Sequence, residues 1–169
     1  MESQKLSKNP AFWAALCIII VTIALAIANY SGLLQLHILV GPFYIHHWIG
    51  WVGSLFIAIA TPLYSYLKRR FPEKRKLLSN VHIFGNLSAF LLISIHFFQQ
   101  ISRPAEFLPD LGTGLALFIA VSILVTSGIL QRFQIGRQLG RYYRLIHIGA
   151  TMTFYIIIVI HILHGLGII

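Results

Sequence analysis

Four of the eight histidines repeat one spacing: His82 and His96 are 14 residues apart, and so are His147 and His161. On a helix, 14 residues advance the chain about 21 Å and turn it about 1400°, some 40° short of four full turns. Each pair therefore shares a face, with one ring toward each side of a hydrocarbon layer about 30 Å thick. If the helices carrying the pairs run parallel, His82 faces His147 at one depth and His96 faces His161 at the other. Neutral imidazole is a good axial ligand for haem iron, and facing helices can hold a cofactor in a bundle core. The spacing thus predicts two stacked haems with bis-histidine ligation, an inner one on His82/His147 and an outer one on His96/His161. A lone intramembrane histidine is often no more than a hydrogen bond between helices. Four at a duplicated spacing point to ligands.

The neighbours agree with that chemistry. Gly85 and Ala89 follow His82 at i+3 and i+7, and small side chains there would leave room for a flat macrocycle, although they also let membrane helices pack closely. Asn86, Ser88 and Ser94 could supply hydrogen bonds behind the ligands. Arg141 and Arg144 lie one to two turns before His147 and could pair with haem propionates, or anchor the helix at the interface. There is no C-x-x-C-H motif for covalent c-type attachment, and the expected cofactors are two haems of b type.

Four histidines are not needed for two haems: His37, His46, His47 and His164. His46 shares a face with Gly50 and Gly53, so that face should pack into the bundle. All four fall on the outer side, where interfacial histidines are often simply solvated. The sharper expectation is an acceptor site at the outer haem edge, where His46 or His47 with His164 binds a metal ion or hydrogen-bonds a quinone or oxygen species. His164 lies one turn from His161 and competes with it as a ligand; the matched spacing favours His161.

The elements that must position these rings are membrane helices. The chain is 57% hydrophobic and 10% charged, far less charged than a soluble domain of its length. Several apolar runs reach the ~20 residues needed to cross a bilayer. The pattern predicts an all-α integral membrane protein with five spans, about 11–30, 43–66, 80–100, 111–131 and 143–167, of which spans two to five form the core around the haems. Neighbouring spans are joined by short segments and should be antiparallel, so spans three and five, with the paired histidines, run parallel.

The charges sort with that topology. Lys5 and Lys8 precede the first span, Lys68, Arg69, Arg70, Lys74, Arg75 and Lys76 follow the second, and Arg132, Arg137, Arg141 and Arg144 lie between the fourth and fifth. All fall on one side; only Arg103 falls on the other, with Glu106 and Asp110. The positive-inside rule then places the N-terminus in the cytoplasm and the C-terminus outside, in a cell membrane. The net charge of +9 is accordingly a topology signal and not a nucleic-acid footprint. The first span also resembles a secretory signal, with Lys5 and Lys8 before an apolar core and the small residues "ALAIA". Five spans give the cleaner charge sorting.

The stretch "RYYRLIHIGATMTFYIIIVIH", a basic lead-in followed by His-x13-His, resembles the fifth helix of the ferric-reductase-like transmembrane domain family. Paired histidines on the third and fifth spans, with a histidine-free span between, are similar to that family over roughly residues 43–167. The family includes ferric reductases, NADPH oxidases and the haem-binding membrane subunit of a periplasmic methionine sulfoxide reductase. The resemblance implies electron transfer from a cytoplasmic donor through an inner and an outer haem to an external acceptor, and hence a haem-dependent oxidoreductase. Many members carry six spans and a fused flavin and nicotinamide-nucleotide domain. These 169 residues hold five spans and no stretch long enough for such a domain, so the flavin would sit on a partner. His-x13-His pairs are also similar to those of quinol-oxidising cytochrome b, and the alternative is a quinone-linked membrane subunit of a larger oxidoreductase.

Two further classes fit the sequence less well. A histidine-lined metal transporter would need polar groups along a continuous path, and the usual markers are intramembrane carboxylates. All four acidic residues lie in loops or tails. A scaffold without cofactor would leave the duplicated spacing without a purpose. The partners expected are therefore membrane lipid and a cytoplasmic-side redox protein or quinol.

Overall fold

A computed structural model describes residues 8–103 and 112–168; Lys5, Glu106 and Asp110 of the charge argument lie outside them. The structure is 83% helical, with five helices long and apolar enough to cross a membrane, as the composition requires. The chain divides into two compact units, residues 1–99 and 100–169.

In the first unit, α1 runs Pro10–Tyr30. Asn9 caps it by accepting a hydrogen bond from the Ala11 amide at 3.1 Å, and Pro10 stands at the first helical position, where a missing N–H costs nothing. Its buried residues are Ala15, Thr22 and Asn29, a seam of one residue in seven on a helix otherwise apolar all round, as a lipid-facing span should be. A two-residue antiparallel ladder follows, β1 Leu39–Val40 with β2 Phe43–Tyr44. Gly41 turns it at φ +63°, in the left-handed region that glycine tolerates. Because Phe43 and Tyr44 are paired there, α2 begins at Ile45 and not at 43.

Helix α2 spans Ile45–Arg70 and α3 spans Arg75–Ile101, joined by a single 3-10 turn, Pro72–Lys74. Both run past the expected hydrocarbon limits at this end. The last turn of α2 carries Lys68, Arg69 and Arg70, cations that complement the negative end of the helix dipole. The two helices approach through glycine: a Cβ on Gly53 would lie 2.8 Å from the Ala89 carbonyl oxygen, and one on Gly85 would run into Cζ of Phe56. Gly85 and Ala89 thus serve the close helix packing that small residues also allow.

Gln99 ties the far end together. Its side chain donates to Asn29 Oδ1 and, at 2.7 Å, to the Leu34 carbonyl, and it accepts from the Leu36 amide at 3.3 Å. It thereby joins the ends of α1 and α3 to the segment between α1 and α2. Asn29 and Gln99 are buried, so these bonds offset a desolvation cost that no water could relieve.

In the second unit, α4 (Gly112–Arg132) and α5 (Gly140–Gly165) form an antiparallel hairpin, with a 3-10 turn at Arg137–Leu139 between them. Gln131 fixes its register by donating to the Tyr143 carbonyl at 3.1 Å and the Ser127 carbonyl at 3.3 Å. Leu117, Val121 and Leu124 on α4 and Ala150, Phe154 and Ile158 on α5 are the buried apolar stripes, at helical spacing.

Candidate functional site

Each unit contributes one of the two histidine pairs. In the second unit, His147 Nδ1 is 3.0 Å from the Leu124 carbonyl oxygen. A carbonyl only accepts, so Nδ1 carries the proton and the lone pair is on Nε2. Ser127 completes the arrangement: its hydroxyl donates to the same Leu124 carbonyl at 3.1 Å, and its oxygen lies 3.1 Å from Nδ1. One ring edge rests on Gly128, where a Cβ would stand 3.2 Å from Cε1.

Fourteen residues away the arrangement recurs. Thr113 Oγ1 is 3.1 Å from His161 Nδ1, and a Cβ on Gly114 would stand 3.4 Å from His161 Cε1. A hydroxyl residue followed by glycine thus appears twice on α4, opposite the two histidines of α5. His164, one turn further on, is exposed, which favours His161 as the residue the fold positions. Arg141 and Arg144 are exposed at the start of α5.

In the first unit, His96 Nδ1 is 3.0 Å from the His46 carbonyl oxygen, which again puts the proton on Nδ1 and the lone pair on Nε2. The ring lies against Gly50, where a Cβ would meet Cγ at 2.6 Å. The face shared by His46, Gly50 and Gly53 packs inward as its pattern requires, and His46 is buried. His46, His47 and His96 form one cluster, with centroids 4.3 Å apart for His46–His47, 5.8 Å for His46–His96 and 5.4 Å for His47–His96. His46 Nδ1 lies 3.3 Å from the Leu36 carbonyl. His37 stands against Tyr44 at 6.2 Å. Among the described residues, no three His, Cys, Asp or Glu side chains are placed to hold a metal ion.

His82 is seated differently. Its ring stacks face to face on Tyr64 of α2, with centroids 4.3 Å apart and planes 12° apart, and Lys68 Nζ lies 4.8 Å from the Tyr64 centroid. The Asn86 amide nitrogen is 3.3 and 3.4 Å from the two ring nitrogens, while Asn86 Oδ1 is buried with no hydrogen-bond partner. A half-turn of that amide exchanges donor for acceptor, and because it stands equally near both ring nitrogens it selects neither tautomer of His82. Of the other expected supports, Ser94 bonds the Phe90 carbonyl of its own helix at 2.8 Å, and Ser88 is exposed.

Taken one by one, His96 and His147 hold Nδ1 on a backbone carbonyl and His161 holds it near a hydroxyl, the kind of Nδ1 partner that accompanies imidazole ligation of a metal such as haem iron through Nε2. Sequence reasoning missed Thr113, Gly114, Ser127 and Gly128. The signal was available in the same 14-residue repeat, read on the histidine-free span. No family model, no curated protein and no solved structure matches the chain.

Proposed function

We propose that this chain is a membrane electron-transfer protein in which His82 and His147 hold one haem b and His96 and His161 a second. The observation that carries the reading is the 14-residue repeat of histidines. It is supported by a repeat at the same interval in the seats of His161 and His147, Thr113–Gly114 and Ser127–Gly128 on α4. Pairing across the two units rests on matched spacing in the sequence. A bis-histidine haem supplies reversible one-electron chemistry with no open iron position for an external ligand. The chain's own part is to hold each Nε2 toward the iron, to fix the tautomer through Nδ1, and to keep water from the rings with apolar helices.

On this reading electrons enter on the cytoplasmic side, where the basic segments 68–76 and 132–144 offer docking for an acidic or flavin-bearing partner, and leave to an external acceptor. The mode is that of the ferric-reductase-like family. Arg141 and Arg144, exposed one to two turns before His147, would pair with propionates of its haem. The test is reconstitution in vesicles of known orientation. Reductant confined to the basic side should reduce an acceptor confined to the other. Transfer only in the opposite sense would reverse the proposed direction, and no transfer would refute it.

One observation favours a quinone-linked cytochrome b subunit as second reading. The His46–His47–His96 cluster is flanked by Phe43, Trp48 and Trp51, with Phe43 and Trp51 centroids 5.6 Å apart and Trp48 and Trp51 5.4 Å apart. Aromatic rings beside imidazoles suit a quinone head group. Quinol-dependent reduction that is lost in His46→Ala or His47→Ala, with haem content kept, would select it.

A further inference from the structure

We infer that Thr113 and Ser127 are positioning residues that act on haem through His161 and His147, each setting the basicity of one axial ligand and hence the reduction potential of one haem. The inference deepens the proposed function and rests on its haem ligation, but the contacts that carry it lie wholly within the α4–α5 hairpin.

Three observations converge. Each hydroxyl oxygen stands 3.1 Å from the Nδ1 of its histidine. The two contacts are 14 residues apart on α4 and 14 on α5, so an antiparallel register presents the same partner twice. Each hydroxyl residue is followed by a glycine beside the ring's Cε1: a Cβ on Gly128 would stand 3.2 Å from that of His147, tighter than ordinary contact, and one on Gly114 3.4 Å from that of His161, an ordinary one. A hydroxyl in a membrane helix usually satisfies itself on the carbonyl four residues back; Ser122 does so, at 2.8 Å from the Phe118 carbonyl. Ser127 also donates within its own helix, to the Leu124 carbonyl three residues back at 3.1 Å, but its oxygen in addition meets His147, and Thr113, in the first turn of α4, meets His161.

The proton count fixes the sense of the effect. When Nε2 gives its lone pair to iron, the ring proton must be on Nδ1, and the hydroxyl oxygen accepts it. At Ser127 this role is already fixed, because its own proton goes to the Leu124 carbonyl. An acceptor on Nδ1–H pulls the imidazole toward imidazolate and makes Nε2 a stronger donor. A stronger donor stabilises ferric over ferrous haem and lowers the potential. Removing the acceptor should therefore raise it. The two sites differ in degree, since His147 shares its Nδ1–H between the Ser127 oxygen and the Leu124 carbonyl. The Leu124 carbonyl remains when Ser127 is cut back, so Thr113→Val should move its haem further than Ser127→Ala moves the other.

The test is a spectroscopic redox titration of the full chain that resolves two haems, on wild type, Ser127→Ala, Thr113→Val and the hydroxyl-retaining variants Ser127→Thr and Thr113→Ser. The expected result is an upward shift of one midpoint in Ser127→Ala, a larger upward shift of the other in Thr113→Val, and near wild-type midpoints in the retaining pair. A readout independent of haem comes from 15N-histidine spectra of haem-free full chain. Losing either hydroxyl should move the Nδ1 resonance of its own histidine only. Two haems with both midpoints unmoved, or equal shifts of both from either single change, would overturn the inference while leaving haem ligation intact. Should Ser127→Ala or Thr113→Val fail to fold, unchanged midpoints in both retaining variants together with the wild-type Nδ1–H tautomer at both histidines would uphold it, and the opposite tautomer would overturn it. A wild-type chain without haem defeats the proposed function, a result the titration separates from failure of the hydroxyl roles.

Discussion

His96 lies directly on Gly50, so close that a Cβ there would meet the ring's Cγ at 2.6 Å. The neighbour is the root of an imidazole whose Nδ1 is held by the His46 carbonyl, and neither atom can swing aside cheaply. Gly50→Ala should therefore displace the ring, at an overpacking cost of about 1–3 kcal/mol, and strip the haem proposed to be ligated by His96. Gly128 is tighter than ordinary contact at 3.2 Å and Gly114 is ordinary at 3.4 Å. Gly128→Ala should weaken haem binding at His147 partially, and Gly114→Ala should leave the spectrum unchanged. Haem content across the three variants checks the order.

Tyr64 supports His82 by its face, with Lys68 beyond it. Stacked aromatic pairs contribute about 1 kcal/mol beyond their buried area. Tyr64→Leu should speed loss of the His82 haem to an apo-globin trap by roughly the corresponding several-fold, while Tyr64→Phe keeps the wild-type rate. Equal rates in Tyr64→Leu and wild type would remove Tyr64 from the site.

Gln99→Leu should destabilise the first unit without touching a ligand. The change removes the bonds to the Leu34 carbonyl and the Leu36 amide, and an abandoned buried polar group costs about 1–3 kcal/mol. The midpoint of unfolding in detergent should fall, and folded protein should retain both haems.

His161 and His164 can be told apart. His161 is held by Thr113 and seated on Gly114, whereas His164 is exposed. His161→Ala should lose one haem and His164→Ala none. In His46→Ala, His47→Ala and His164→Ala, retained haems with slower reduction of one acceptor would support the outer acceptor site. Unchanged turnover with every acceptor would dismiss it.

Much of the fold was legible because the bilayer imposes it. Lengths and apolarity alone place five helices, and the structure keeps all five within a few residues of their expected limits. The helix ends were less legible. The ladder at Leu39–Tyr44 depends on a turn at Gly41, and the basic ends of α2 and α3 continue the helix where hydropathy has already fallen. The contact of Gly85 with Phe56 was not legible, because a small residue that admits a cofactor and one that admits a phenyl ring look alike in sequence. Gln99 was invisible as a clasp, since its partners lie 63 to 70 positions away. The hydroxyl–glycine repeat on α4 was visible in principle, but its meaning depends on the register of an antiparallel hairpin.

The most direct test is haem per chain in purified wild type and in the four single variants His82→Ala, His96→Ala, His147→Ala and His161→Ala, with folding checked by circular dichroism. The account predicts two haems in wild type, with low-spin bis-histidine spectra. It predicts one in each variant, the same haem surviving in His82→Ala and His147→Ala and the other surviving in His96→Ala and His161→Ala. Fewer than two haems in well-folded wild type, or survivors that pair the histidines differently, would contradict it.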